Sequence, residues 1–82
     1  MANPWKRKEI IDFMRQAADR HGVPAATVLG HSKLNEITLA RWEGWADAHA
    51  AGYAFAAIGR VTGFHHTSVM HGVRRHNERK AK

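Results

Sequence analysis

Cysteine is absent from this 82-residue chain, and the absence excludes several kinds of protein at once. Without thiols there is no disulfide scaffold, no thiolate zinc site and no thiol catalysis. Long apolar runs are lacking too: no stretch approaches the roughly 20 residues that span a bilayer, and the N-terminus has no apolar signal region. These absences predict a cytoplasmic protein of a bacterium or phage that has no membrane partner.

Acidic residues are scarce in the C-terminal part of the chain. Residues 51–82 contain six Lys or Arg and a single acid, Glu78, whereas residues 1–50 contain seven cations and six anions. Five of the six net positive charges therefore lie in residues 51–82. Charge that serves only solubility would be scattered, whereas a cationic end on a balanced body is typical of proteins that neutralise phosphates. The distribution favours a nucleic-acid partner.

The length of the chain allows one small core, so we expect a single domain over residues 1–82 and no large active-site cleft. Periodicity, Gly and Pro predict helices over residues 4–21, 24–29, 36–51 and 55–61, and a fifth that starts at residue 65 or 66. The third helix is expected to be amphipathic, with one apolar side: Leu39, Trp42, Trp45, Ala46 and Ala50. Glu36, Glu43 and Asp47 lie on its opposite side. Its tryptophans are expected in the core rather than in a ligand cage. The expected fold is an all-α compact bundle of four to five short helices.

Residues 54–77 have the pattern of a helix-turn-helix, and residues 78–82 form a basic tail that is expected to fray. Gly63 is expected at a positive φ in the turn, with Phe64 folded back against Ile58 and Val69. Gly59 is expected to permit close approach of the helices.

The fifth helix is expected to present a polar and basic side, opposite an apolar side. A major-groove helix contacts base edges with such side chains. The predicted base contacts are His65, His66, Thr67, Ser68 and His71. The hydroxyls of the first turn are expected to cap the helix as well.

Residues 23–75 resemble the C-terminal double-stranded-DNA-binding domain of the bacterial replication initiator DnaA. The signature of that family is Ile-Gly in the first helix of the motif, a Gly-containing turn, and then Asp-His-Thr-Thr-Val-Leu-His-Ala-Cys-Arg-Lys. Here Ile58 and Gly59 occupy the first places, and residues 65–75, HHTSVMHGVRR, occupy the last. The resemblance implies a helical domain that binds duplex DNA, as in DnaA-like transcription regulators of phages and gene transfer agents. Such a protein can continue into further domains.

Departures from the family pattern fall at positions that contact DNA in the family. The arginine-rich loop of the family is replaced by residues 31–35, in which Lys33 is the one fixed cation, so readout of the minor groove is expected to be weak or lost. His65 replaces an aspartate, which implies a different target sequence. No phosphate-binding loop is present, so the domain is expected to bind DNA without melting it. The expected phosphate contacts are Lys33, Arg41, Arg60, Arg74 and Arg75.

The same residues allow other interpretations. Arg41 could instead pair with Glu36 or Asp47 on the surface. The seven histidines lack the carboxylate or thiol spacing of a metal site, and no acid–base pair is evident, so we expect no metal, no cofactor and no enzyme activity. Besides transcription regulation, the domain could serve replication initiation. It could also be a protein-interaction module whose basic end docks an acidic partner such as RNA polymerase.

Overall fold

The computed structural model describes residues 6–81, and within that range the chain forms five α-helices and no strand. They are α1 (Arg7–His21), α2 (Ala25–Val28), α3 (Asn35–Ala50), α4 (Phe55–Thr62) and α5 (His66–Lys80). The predicted all-α bundle is confirmed. α1 begins at Arg7, three residues later than predicted, and residues 3 and 4, which carried the predicted cap, lie outside the described range.

α3 is the central helix of the bundle. It packs against each of the other four helices, whereas α1 and α5 make no packing contact with each other. The core comprises residues from all five helices, chiefly Ile10, Met14, Val28, Ile37, Ala40, Trp45, Ile58, Val69 and Val73. Among the described residues every large apolar side chain except Leu34 is buried or half-buried, and removal of this apolar surface from water is the main favourable contribution to folding.

The prediction of a single apolar side on α3 is wrong. Ile37, Ala40 and Ala48 are buried although they were not assigned to that side, while Ala50 is exposed. A helix surrounded by four neighbours is covered around most of its circumference, so the simple amphipathic pattern of a surface helix does not apply to it. Trp45 is 2 % exposed, which confirms its expected place in the core.

Two glycines let the long helices pack closely. A Cβ on Gly44 of α3 would lie 2.7 Å from Sδ of Met14 in α1, and a Cβ on Gly72 of α5 would lie 2.6 Å from Cε3 of Trp45 in α3. Contacts of that length do not occur between packed side chains, so any larger residue at either site would push the helices apart. The approach of α5 to α3 therefore depends on Gly72.

The connection between α4 and α5 is a tight turn. Gly63 has a φ of 80°, in the left-handed region, and the backbone N–H groups of Gly63 and Phe64 both donate to the carbonyl of Gly59, at 2.8 and 2.9 Å. A Cβ on Gly59 would overlap the carbonyl oxygen of Phe64. The positive φ at Gly63 is confirmed, and the close approach at Gly59 is that of the returning turn to α4.

Candidate nucleic-acid interface

The outer side of α5 is polar and basic, as the sequence predicts. Val69, Gly72 and Val73 are buried against the bundle. The residues predicted to face DNA on this helix are all exposed: His66, Thr67, Ser68, His71, Arg74 and Arg75. Since the buried and exposed positions alternate with helical spacing, α5 presents one continuous side to the solvent along its first three turns.

The first turn of α5 is capped by an imidazole. Nδ1 of His65 accepts a hydrogen bond from the backbone N–H of Thr67 at 3.2 Å and lies 2.8 Å from Oγ1 of the same residue. The ring of His66 lies 4.5 Å from that of His65, centroid to centroid. The expectation that Thr67 and Ser68 cap the helix is thus wrong, because the residue before the helix supplies the acceptor instead.

Phe64 ties the turn to a loop that is distant in sequence. Its ring stacks on His31 at a centroid distance of 4.2 Å and meets Trp45 edge-on at 5.1 Å. The guanidinium carbon of Arg41 lies 4.9 Å from the same ring. Phe64 is half-buried against the core, as expected, but its ring neighbours come from the loop after α2 and from α3. The contact between Phe64 and His31 brings residues 31–33 beside the start of α5.

A groove of about 440 Å³ separates that loop and α3 from the start of α5. It is lined by His31, Lys33, Thr38, Arg41, Trp42, Trp45, Phe64, Thr67, Ser68 and His71. Lys33 is exposed at this groove, and none of the described residues that line it is an acid. Lys33 therefore shares one surface with three of the predicted base contacts, which gives that surface a positive potential.

Five of the lining residues were not anticipated as members of the site: His31, Thr38, Trp42, Trp45 and Phe64. His31, Thr38 and Trp42 lie well before α5 in the chain, and no local pattern associates them with it. Trp42 was expected in the core but is half-buried, and its ring meets that of His71 edge-on at 6.2 Å. The sequence offered two signals: the spacing of Trp42 and Trp45 on one helix, and the place of His31 in the segment that corresponds to a DNA-contacting loop in the DnaA resemblance.

Arg41 does not belong with the exposed cations. It is 5 % exposed, and its guanidinium donates from Nε to the carbonyl of Val28 at 3.0 Å and from Nη2 to those of Gly30 and Ser32 at 2.7 and 3.0 Å. Burial lowers the pKa of Arg41, yet an arginine stays charged at neutral pH. The predicted phosphate contact is corrected to a structural role: Arg41 satisfies carbonyls at the end of α2 and in the following loop.

The remaining predicted phosphate contacts lie on the surface. Arg60 of α4 and Arg74 and Arg75 of α5 are exposed. Nη1 of Arg75 lies 3.6 Å from a carboxylate oxygen of Glu78, and both side chains are more than half exposed, so this pair contributes little to stability. Arg74 lines a second groove, with Phe55 and others, on the flank of α5 away from Lys33.

Two acids of α3, Glu43 and Asp47, are paired with basic residues of α1. Arg20 donates from Nε to Glu43 and from Nη2 to Asp47, both at 2.5 Å, and Nε2 of His21 lies 3.1 Å from the other oxygen of Glu43. Burial alone would raise the pKa of Glu43, but the hydrogen bonds from Arg20 and His21 outweigh it and hold that pKa below its ordinary value. The cluster does not include Arg41, so the alternative of an ion pair between Arg41 and Glu36 or Asp47 is not realised.

Among residues 6–81, no three His, Cys, Asp or Glu side chains are grouped so that they could hold a metal ion. Over the same residues, none of the helices has both the length and the apolar character that crossing a membrane requires.

Comparison of the chain with protein-family models, with curated proteins and with solved structures finds no match. The resemblance to the DnaA domain therefore stands on the motif residues of α4 and α5, and the function is argued from the geometry of this molecule.

Proposed function

We propose that this protein binds double-stranded DNA in a sequence-specific manner, with α5 in the major groove, and that it acts as a transcription regulator of the phage or gene-transfer-agent type. The observation that carries the proposal is the arrangement of α4, the Gly63 turn and α5. It exposes hydroxyl, imidazole and guanidinium groups on one side of a helix whose other side is buried.

The dimensions and chemistry of α5 suit a major groove. A helix with its side chains is about 10–12 Å across and the groove of B-DNA is about 12 Å wide, so one helix fills it. Thr67, Ser68 and His71 extend from the first two turns, the part of a recognition helix that meets base edges in helix-turn-helix proteins. Each carries a hydrogen-bonding group on a side chain that is exposed in the free protein.

Cations are available on both flanks of α5 for the two phosphate strands that border the groove. Lys33 lies beside the first turn on one flank, and Arg74 lines the groove on the other. Arg60 and Arg75 add exposed positive charge on α4 and α5. Phosphate contacts of this kind supply affinity and orientation, while the base edges supply specificity.

A protein-interaction role is the second candidate, and the exposed surface favours DNA over it. Helices that dock in protein grooves present apolar anchors at helical spacing. Within the described residues, the one large hydrophobic side chain that is exposed is Leu34, at 68 %, which precedes α3 and is not on α5. An exposed side of hydroxyls, imidazoles and arginines fits bases and phosphates better than an apolar groove.

A mobility-shift assay against random and selected duplexes over a salt series tests the proposal. Thr67→Ala should cost about 1–3 kcal/mol on a selected site and little on random DNA, because it removes a base contact. Arg75→Ala should weaken binding to both duplexes and reduce the slope of log K against log salt by about 1.

The matched control is Arg15→Ala, which removes the same charge from an exposed position on α1, a helix that does not pack against α5. It should leave the salt slope unchanged. Failure of the wild-type protein to shift any duplex at low salt, or equal slopes for Arg75→Ala and Arg15→Ala, would contradict the proposed binding mode.

A further inference from the structure

The hydrogen bonds at the start of α5 assign the proton of the Thr67 hydroxyl. The backbone N–H of Thr67 donates to Nδ1 of His65, and this bond corresponds to the tautomer in which Nδ1 carries a lone pair and Nε2 carries the proton. Oγ1 of Thr67 lies 2.8 Å from the same Nδ1. Because that nitrogen can only accept, the hydroxyl must be the donor of this bond. The one proton of Thr67 is therefore directed at His65.

The exposed side of Thr67 is left with acceptor capacity alone. Its oxygen keeps two lone pairs after it donates, and donation to an imidazole makes such an oxygen a better acceptor. Ser68, the next residue, differs: no hydrogen bond joins its hydroxyl to the described residues, so it can rotate to donate or to accept. The two neighbouring hydroxyls thus offer different chemistry to a ligand.

We infer that Thr67 is a specificity-determining residue that requires an exocyclic amino group at the base it contacts. The inference rests on the proposed DNA binding by α5. In the major groove the donors are N6 of adenine and N4 of cytosine, whereas N7 and O6 of guanine and O4 of thymine are acceptors. An oxygen that can only accept a hydrogen bond is satisfied by either amino group. It is repelled by the lone pairs of N7, O6 and O4. His65 selects the base indirectly, by holding the proton of Thr67.

The test begins with duplexes enriched by the wild-type protein from a random library. In an enriched duplex, each adenine is replaced in turn by purine, which lacks the N6 amino group, and each cytosine by its analogue without the N4 amino group. One replacement should weaken wild-type binding by about tenfold, the value of one well-made hydrogen bond. Which of the two analogues has this effect distinguishes adenine from cytosine.

The same base replacement should not change the DNA affinity of the Thr67→Val variant, because valine has the shape of threonine and no hydrogen-bond acceptor. Thr67→Ser, which keeps the hydroxyl, should retain the sensitivity, and Ser68→Ala should retain it as the matched control. His65→Ala frees the proton of Thr67. At the base position that Thr67 contacts, this variant should therefore tolerate guanine or thymine as well as the selected base. Binding to random duplexes, measured for every variant, verifies that each one is folded.

The outcomes separate the two claims. If Thr67→Val keeps the wild-type sensitivity at every position, the inference is overturned while DNA binding by α5 stands. It is also overturned if 7-deazaguanine at some position weakens wild-type binding but leaves Thr67→Val unaffected, since that would make Thr67 a donor to N7. If the wild-type protein enriches no sequence, the proposed sequence-specific function fails, and the inference fails with it.

Discussion

Replacement of Arg41 provides the sharpest test of the structure, because the sequence and the structure assign this residue opposite roles. The sequence leaves Arg41 as a surface cation, which either contacts phosphate or pairs with Glu36 or Asp47, whereas the structure places a charged side chain, 5 % exposed, against backbone carbonyls. Three of its hydrogen bonds are 3.0 Å or shorter, to residues 28, 30 and 32. They join the end of α2 and the following loop to α3.

The loss of stability expected on replacing Arg41 follows from the backbone carbonyls that would lose their hydrogen-bond donor. Leaving a buried acceptor unsatisfied costs about 1–3 kcal/mol, and the carbonyl of Val28 is the most enclosed of the three because that residue is fully buried. The carbonyls of Gly30 and Ser32 belong to half-buried residues and can recover water. We therefore expect Arg41→Met to lower the free energy of unfolding by about 2–4 kcal/mol. For a domain of this size each kcal/mol lowers Tm by about 4–8 °C, so the loss should be about 10–30 °C.

Thermal unfolding followed by circular dichroism measures this loss, with Arg75→Ala as the exposed-arginine control that should change stability by less than about 0.5 kcal/mol. Arg41→Lys should also destabilise, because an ammonium cannot reproduce the separate Nε and Nη2 donors. At temperatures where Arg41→Met is folded, its salt slope for DNA should equal that of the wild type, although the variant has lost the positive charge. A slope reduced by about 1, with Tm unchanged, would refute the structural role and restore the phosphate contact.

Of three further predictions, two concern the turn and one concerns the acidic cluster. Gly59→Ala should destabilise more than Gly63→Ala in thermal unfolding, since its Cβ would overlap the Phe64 carbonyl. The Cβ at residue 63 would make only an ordinary contact, 3.9 Å from Nε2 of His31, and incurs the left-handed strain of about 1 kcal/mol. The reverse order would show that the turn is not built as described. Gly63→Val should lower stability and specific binding together, and a variant that keeps both would contradict a helix-turn-helix. Glu43→Gln should cost less than about 1 kcal/mol at pH 7, because its partner Arg20 is half exposed. The pKa of Glu43 is lowered in the folded state, so its stabilisation is complete above its ordinary pKa of 4.5 and is lost as the pH falls through the folded-state pKa. The stabilities of the two proteins should therefore converge as the pH falls below 4.5, and a difference that stays constant on acidification would refute the pairing.

Local features of the chain were predictable, and they define most of the candidate interface. Helix periodicity and the position of Gly63 depend on dihedral preferences and on hydrogen bonds four residues apart, which a linear pattern contains. The exposed side of α5 follows from the same periodicity, so the exposure of Thr67, Ser68 and Arg75 was predicted correctly. The buried sides of α3 were not predicted correctly. The burial of a central helix depends on which helices surround it, and periodicity does not identify them.

The sequence by itself determined the helical content, the tight turn at Gly63 and the basic character of the C-terminal part, since each depends on residues close together in the chain or on composition alone. Only the tertiary structure decided that Arg41 is buried, that the loop at His31 stacks on Phe64, and that the ring of His65 caps α5 within hydrogen-bond distance of the Thr67 hydroxyl. The first two join segments that are distant in the chain. The third is local, but it depends on the orientation of a ring and a hydroxyl to within about an ångström, and no pattern of residue types specifies a hydrogen-bond direction at that scale.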